Sequence, residues 1–292
     1  MRLLRWKTCI SWKIWNFLNS VKSSAQKVKI ESIVIPCVGA NYVEEAVLAG
    51  NFAHRSFEGK VEILIVSDQP ESAFSGLSAG VKTRQIPLAQ STRTTYQQIW
   101  QSRLVKLQAP LLAQGKGILM IDSDLMLLKP FQFDMEPGAL FGVFRKGMAF
   151  SRVKQHKTLL PEITWRSRIH EQTHLNGAFL FAHRETWEKL CPLWTQLYKD
   201  IWSRMPENEA PRDQLPLTIA MDRLGLWGID VGTDYNWPVS KKWSTQPMQV
   251  PDYVIGAHGG FPIQEWHKYW ASPKAELTFV DQKVSREIRY KA

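Results

Sequence analysis

The run Gly117–Pro130, GILMIDSDLMLLKP, is apolar on both sides of a single Asp-Ser-Asp triplet. A run this apolar belongs in the interior, and at this length it reads as a buried strand. Whatever fold the chain adopts must therefore carry Asp122 and Asp124 to the end of a core strand. The segments before it indicate which fold that is. Lys29–Pro36 (KIESIVIP) and Val61–Val66 (VEILIV) are β-branched runs of strand length. Residues 42–56 place Val43, Ala46, Val47 and Phe52 at helical spacing, and Gln97–Ala113 reads as a helix closed by Gly115 and Gly117. Ile118–Ile121 is then the third strand. Strands alternating with helices over the first 125 residues predict an α/β fold with a Rossmann-type, mostly parallel sheet flanked by helices.

Further strands are expected at Ala139–Phe144 and Gly177–Phe181, and a helix at Glu185–Leu197 with Pro192 inside it. Trp227–Trp270 is dense in Trp, Pro and Gly, the composition of a loop-built site. No internal repeat and no low-complexity linker interrupts the chain, so residues 29–292 read as a single domain. The 292 residues are 44% hydrophobic, enough for one large domain or two small ones. Cys9, Cys37 and Cys191 are far apart and lack CxxC spacing. That argues against a disulfide framework or a zinc site and for a reducing compartment. No run of about 18 apolar residues is present, so a spanning helix is not expected.

The net charge of +10 is unevenly placed. Residues 1–30 hold seven basic side chains and no acid, which leaves 30 basic against 27 acidic residues in the rest. A nucleic-acid partner is therefore not indicated. Within residues 1–28, Leu3, Trp6, Ile10, Ile14, Phe17 and Val21 recur at three- and four-residue steps. Lys7 and Lys13 interrupt what would otherwise be the apolar core of a secretory signal. The arm is expected to be a basic amphipathic helix on an anionic membrane surface, with a helix packed on the body as the plainer alternative. The expected location is cytoplasmic, peripheral at the inner face of a membrane.

In open α/β sheets, ligands bind beyond the carboxyl ends of the strands, where Asp122 and Asp124 fall. Side chains i and i+2 of an extended segment point the same way, so the two carboxylates are expected to share one target with Ser123 turned aside. Two like charges so close repel unless a cation sits between them. Oxygen ligands suit Mg2+ or Mn2+, commonly with substrate phosphates completing the shell. Strand-end aspartates also cap turns and helices. The apolar strand before this pair and the LMLL-Lys-Pro after it favour the metal-bound diphosphate.

With its flanks, GILMIDSDLMLLKPF resembles the DxD segment of nucleotide-sugar-dependent glycosyltransferases of the GT-A fold, particularly family 8. Other segments resemble that family in the same order. SRLVKLQAPLLAQGKG is similar to the helix and loop before the DxD, HLNGAFLF to the segment lining the donor sugar, PRDQLPLTIAM to the Asp-Gln segment at the reaction centre, and HGGFPIQEW to the C-terminal His-Gly motif. Together they cover about residues 30 to 270. The resemblance implies a GT-A-like glycosyltransferase domain over residues 29–292. It implies Asp122, Asp124 and His258 as ligands of Mn2+ or Mg2+, and Asp122, Asn176, Gly177 and Gly260 as donor contacts. Either Arg103 or Lys106 supplies the basic donor contact. Asp213 and Gln214 would be the catalytic pair facing the anomeric carbon or acceptor hydroxyl, although alone they would read as a helix N-cap. One departure stands out: where the family carries a diphosphate-binding lysine, this chain has Gln264 and Glu265 before Trp266, with Lys268 nearby.

The implied activity is metal-dependent transfer of a sugar, expected to be a hexose, from a nucleoside-diphosphate sugar to a glycan or lipid-linked glycan. Retention of configuration is favoured by the resemblance. Surface polysaccharide or lipopolysaccharide synthesis is the expected setting. A phosphatase with a DxD nucleophile is disfavoured by Met126 and by the two earlier strands. A nucleotidyltransferase is disfavoured because PCVGANY has only Gly39. A non-catalytic nucleotide-sugar or glycan-binding protein of the same fold remains the alternative. Trp237, Trp243, Tyr253, Trp266, Tyr269 and Trp270 fit stacking on sugar rings, although such residues are more often core.

Overall fold

The structure is a computed structural model that describes residues 29–90, 94–133, 138–144, 175–207, 209–210, 212–238, 254–258 and 263–271. Its centre is a seven-stranded sheet. Strands β1 (Ser32–Cys37), β2 (Glu62–Ser67), β3 (Val81–Gln85), β4 (Gly117–Ile121), β6 (Ala139–Phe144), β7 (Leu175–His183) and β8 (Trp227–Asp230) take the order β3-β2-β1-β4-β7-β6-β8. Pairing is parallel from β3 through β4, antiparallel at β4–β7 and β7–β6, and parallel again at β6–β8. Only β7 therefore runs against the rest. The mostly parallel Rossmann-type sheet expected from the sequence is the one observed.

Alternation along the strands divides the core between two faces. Ile33 and Ile35 of β1, Ile63 and Ile65 of β2, Leu119 and Ile121 of β4 and Phe179 and Phe181 of β7 face α1 (Val43–Ser56). Val34, Leu64, Val66, Ile118, Met120, Leu180 and Ala182 face α2 (Gln97–Gln108), α3 (Arg184–Arg204) and α4 (Gln214–Leu224). A sheet covered on both faces needs apolar residues at successive positions, which is why β4 reads GILMI without a polar break. Pro110 stands two residues after the end of α2, and the chain there tightens into a 3-10 turn at Ala109–Leu112 in place of the longer helix expected. By contrast, α3 continues past Pro192 to Arg204.

A small second sheet joins β5 (Leu125–Leu127), β10 (Gly256–His258) and β9 (Trp237–Pro238) in the order β5-β10-β9. Helix α5 (Ile263–Ala271) follows and packs on α1, where Trp266 and Trp270 meet Phe52 edge-on. The stretch read as loop-built thus holds short strands and a helix in its described parts. No described helix is long and apolar enough to cross a membrane. Residues 1–28, the expected amphipathic arm, lie outside the described residues.

Candidate active site

The parallel strands β1 and β4 end side by side, and a cleft of about 310 Å³ opens beyond them. Pro36 and Val38 at the end of β1, Tyr42 and Glu45 at the start of α1, and Gln98, Ile99, Ser102, Arg103 and Lys106 of α2 line it, together with Asp122, Ser123 and Asp124. This is the carboxyl end of the sheet, where such folds place their ligands. The triplet itself is not extended. Leu125 N donates to Asp122 O at 3.0 Å, closing a turn between β4 and β5. The two carboxylates share the cleft because the chain bends there, and Ser123 faces the same cleft where it was expected to turn aside.

Behind the cleft lies a buried ionic cluster. Lys106 Nζ stands 2.6 Å from Asp122 Oδ1 and 3.1 Å from Asp213 Oδ2. Its side chain is 3% exposed. Asp213 sits where an N-cap would be, at the head of α4, yet its side chain caps nothing. Its backbone carbonyl accepts the Trp194 indole N–H at 2.8 Å. Burial alone would push the Asp213 carboxyl up, but Lys106 and Arg103 together hold it well below the usual carboxylate range. In return Asp213, against the opposing effect of burial and with help from Asp122, keeps the Arg103 guanidinium firmly protonated. Burial and then Asp122 raise the Asp124 carboxyl, with His258 and Lys106 opposing.

One further acid and one phenol enter through tertiary contact and had no sequence signal. Glu45 shares the cleft with Asp124, and burial followed by the charges of Asp124 and Glu44 raises its carboxyl. Tyr198 of α3 is fully buried beside Arg103 and Asp213, and burial pushes its phenol up.

The sheet also explains the positions of the remaining residues. Asp122 N donates to Ala178 O at 3.0 Å, which sets the start of β7 against the end of β4. A Cβ at Gly177 would lie 3.0 Å from Asp213 Oδ2 and 3.1 Å from Lys106 Nζ, so glycine lets β7 lie against the ion pair. Asn176 is buried, and its Oδ1 accepts the Ala178 N–H at 3.2 Å. It does not line the cleft. The antiparallel β5–β10 ladder sets His258 opposite Leu125, the residue after Asp124. Gln214 is the first residue of α4, and its carbonyl accepts the Thr218 hydroxyl at 3.0 Å. Gly260 and the side chain of Lys268 lie outside the described residues.

Two solved structures share this fold. One is the galactosyltransferase LgtC in complex with donor and acceptor sugar analogues, with a TM-score of 0.54 and 12% identity over 86% of this chain and 98% of that one. The other is an active-site mutant of LgtC, with a TM-score of 0.51 and 11% identity over the same shares. The chain has a GT-A fold. No family model matches the sequence, and no curated protein does. At this identity the likeness concerns the backbone, and the chemistry must be argued from the side chains.

Those side chains suit a hard divalent cation that arrives with a diphosphate. Two carboxylates share the cleft of this GT-A sheet, and Asp124 is raised in part by the charge of Asp122. Among the described residues, no three Asp, Glu, His or Cys side chains stand close enough to hold a metal ion unaided. Magnesium sites are often finished by substrate phosphates, so a pair of carboxylates fits such a site without a third protein ligand. Of the two basic candidates, Lys106 is committed to carboxylates at both Asp122 and Asp213, whereas Arg103 is half-buried at the cleft wall. Of the aromatics expected near sugar, Trp266 is core, and Trp270 packs on Phe52 and Arg55. Trp243 and Tyr253 lie outside the described residues, as does the side chain of Tyr269.

Proposed function

We propose that this chain is a metal-dependent glycosyltransferase that moves a hexose from a nucleoside-diphosphate sugar to a glycan or lipid-linked glycan. The observation that carries the reading is the cleft at the carboxyl end of a GT-A sheet, with Asp122 and Asp124 in it and Lys106 joining Asp122 to Asp213. Asp122 and Asp124, with His258 beside them, would hold Mn2+ or Mg2+. The bound ion would neutralise charge on the departing nucleoside diphosphate. Arg103, kept charged by Asp213, faces the same cleft and supplies fixed positive charge there without reorganisation.

Asp213 is a poor candidate for general base. A carboxylate held well below its usual range takes up a proton weakly, and useful bases titrate near the working pH. With Asp213 unsuited to take a proton from the acceptor hydroxyl, inversion lacks its base at that residue, which accords with retention of configuration. Tyr42 and Ile99 line the cleft and are 46% and 39% exposed, a surface onto which a flat ring of the donor can settle. The basic arm would keep the enzyme at an anionic membrane surface on the cytoplasmic side, where a lipid-linked acceptor resides. Liposome sedimentation of the full chain and of a chain lacking residues 1–27 tests that part.

The reaction itself is tested with a panel of nucleotide sugars in Mn2+, Mg2+ or EDTA, for wild type and Asp124→Asn. Metal-dependent release of nucleoside diphosphate from one donor, lost in the variant, is the expected result. Donor binding without release or transfer to any acceptor would instead favour a non-catalytic binding protein. Absence of both binding and release would overturn the proposal.

A further inference from the structure

Lys106 is held in a way that a simple donor contact does not require. A lysine this deep has lost its hydration and is retained only with partners. Here one ammonium serves two carboxylates from distant parts of the chain, Asp122 in the β4–β5 turn and Asp213 at the head of α4. Gly177 of β7 passes within contact of both members of the Lys106–Asp213 pair, so a third element closes over the junction. Asp122 is at the same time one of the two carboxylates in the cleft, and its side chain is 25% exposed there. Lys106 holds Asp122 through Oδ1, so a divalent cation that binds the pair competes with the ammonium for the charge of one carboxylate.

We propose that Lys106 is a built-in counter-ion that competes with the divalent cation for Asp122 and, once displaced, turns its charge to Asp213. This rests on the reading of Asp122 and Asp124 as a cation site. Lys106 is then a positioning residue: it makes the ionic state of Asp213 depend on whether the cation site is filled. Such coupling is reciprocal, so weakening the Lys106–Asp213 pair must also weaken cation binding at Asp122. In the filled state Asp213 has Lys106 to itself, with Arg103 alongside. In the unfilled state the lysine is divided, and Asp122 is not left as an unpaired carboxylate.

The test is Mn2+ binding to the full, metal-free chain, followed by electron paramagnetic resonance with no nucleotide sugar or acceptor present. In Asp213→Asn the lysine has Asp122 alone, and Mn2+ affinity is expected to fall about tenfold. The double variant Lys106→Met, Asp213→Asn removes the competitor and its second partner together, and Arg103 keeps Asp122 and Asp124 as counter-charges. Its Mn2+ affinity is expected to rise about tenfold over wild type. Circular dichroism melting confirms that each variant is folded. A lysine with a merely structural role would weaken binding in both variants or in neither. Either of those results overturns the proposal while leaving the cation site intact. Binding in the double variant with none in wild type would be its strongest support. If neither the double variant nor wild type binds Mn2+, the proposal falls together with the cation site it rests on.

Discussion

The two faces of the central sheet bury different chemistry. The face toward α1 holds a continuous set of rings: Phe131, Phe133, Phe141, Phe179, Phe181 and Tyr235, with centroids 5.1 to 6.4 Å apart. The buried amide of Asn51 in α1 is satisfied by Gly76 O and Ser78 N at 2.9 and 2.7 Å. The face toward α2, α3 and α4 packs Trp187, Trp194 and Tyr198 around buried charge, Lys106 and Asp213. Rings attract weakly and from many directions, so a ring face can lose one member and still exclude water. Buried charges have few partners, and each partner removed strands another. One face is tolerant and the other is specific.

That contrast breaks most sharply at Lys106. Lys106→Met leaves the buried Asp213 carboxylate with Arg103 alone and should cost about 3–5 kcal/mol, read as a loss in the urea unfolding midpoint. Gly177→Ala presses a methyl on the same ion pair from β7 and should cost about 1–3 kcal/mol with a fall in turnover. On the ring face, Phe181→Leu should cost about 1 kcal/mol and leave the kinetic constants of the folded enzyme unchanged. Equal kinetic damage from Phe181→Leu and Gly177→Ala would erase the distinction between the faces. The smallest effect belongs outside both. The His267–Glu44 contact between α5 and α1 is 2.6 Å long but exposed, and His267→Ala should shift stability by ~0.5 kcal/mol or less.

The ring face was largely legible in the sequence, because continuous apolar runs at β1, β2 and β4 can only be core strands. Strand β3, VKTRQ, carried no such signal. It is the edge of the sheet, with three of its five residues exposed, so its residues are those of a surface. The strands β5, β9 and β10 are only two or three residues long and too short to show a period, so their stretch read as loop. In the candidate site, the DxD spacing set within an apolar run brought Asp122 and Asp124 to notice. The turn that aims them was not foreseen, since a Leu125–Asp122 hydrogen bond leaves no mark on composition. Resemblance marked Asp213 and His258, and the fold sets the first beside Lys106 and the second just beyond Asp124. The joint use of Lys106 by two aspartates spanning residues 122 and 213 follows only from the meeting of α2, β4 and α4. No local pattern encodes it. Glu45 and Tyr198 were missed for the same reason, each being one of many such residues until the chain is folded.

The central claim is that Asp122 and Asp124 anchor a divalent cation together with the diphosphate of a sugar nucleotide. Its most direct measurement is an anomalous difference map from crystals grown with Mn2+ and a nucleoside diphosphate. A single manganese peak in the cleft, bound by Asp124 and Asp122 and by the diphosphate, is the expected result. A nucleotide seated in the cleft with no manganese at these carboxylates, or manganese bound elsewhere, would contradict it.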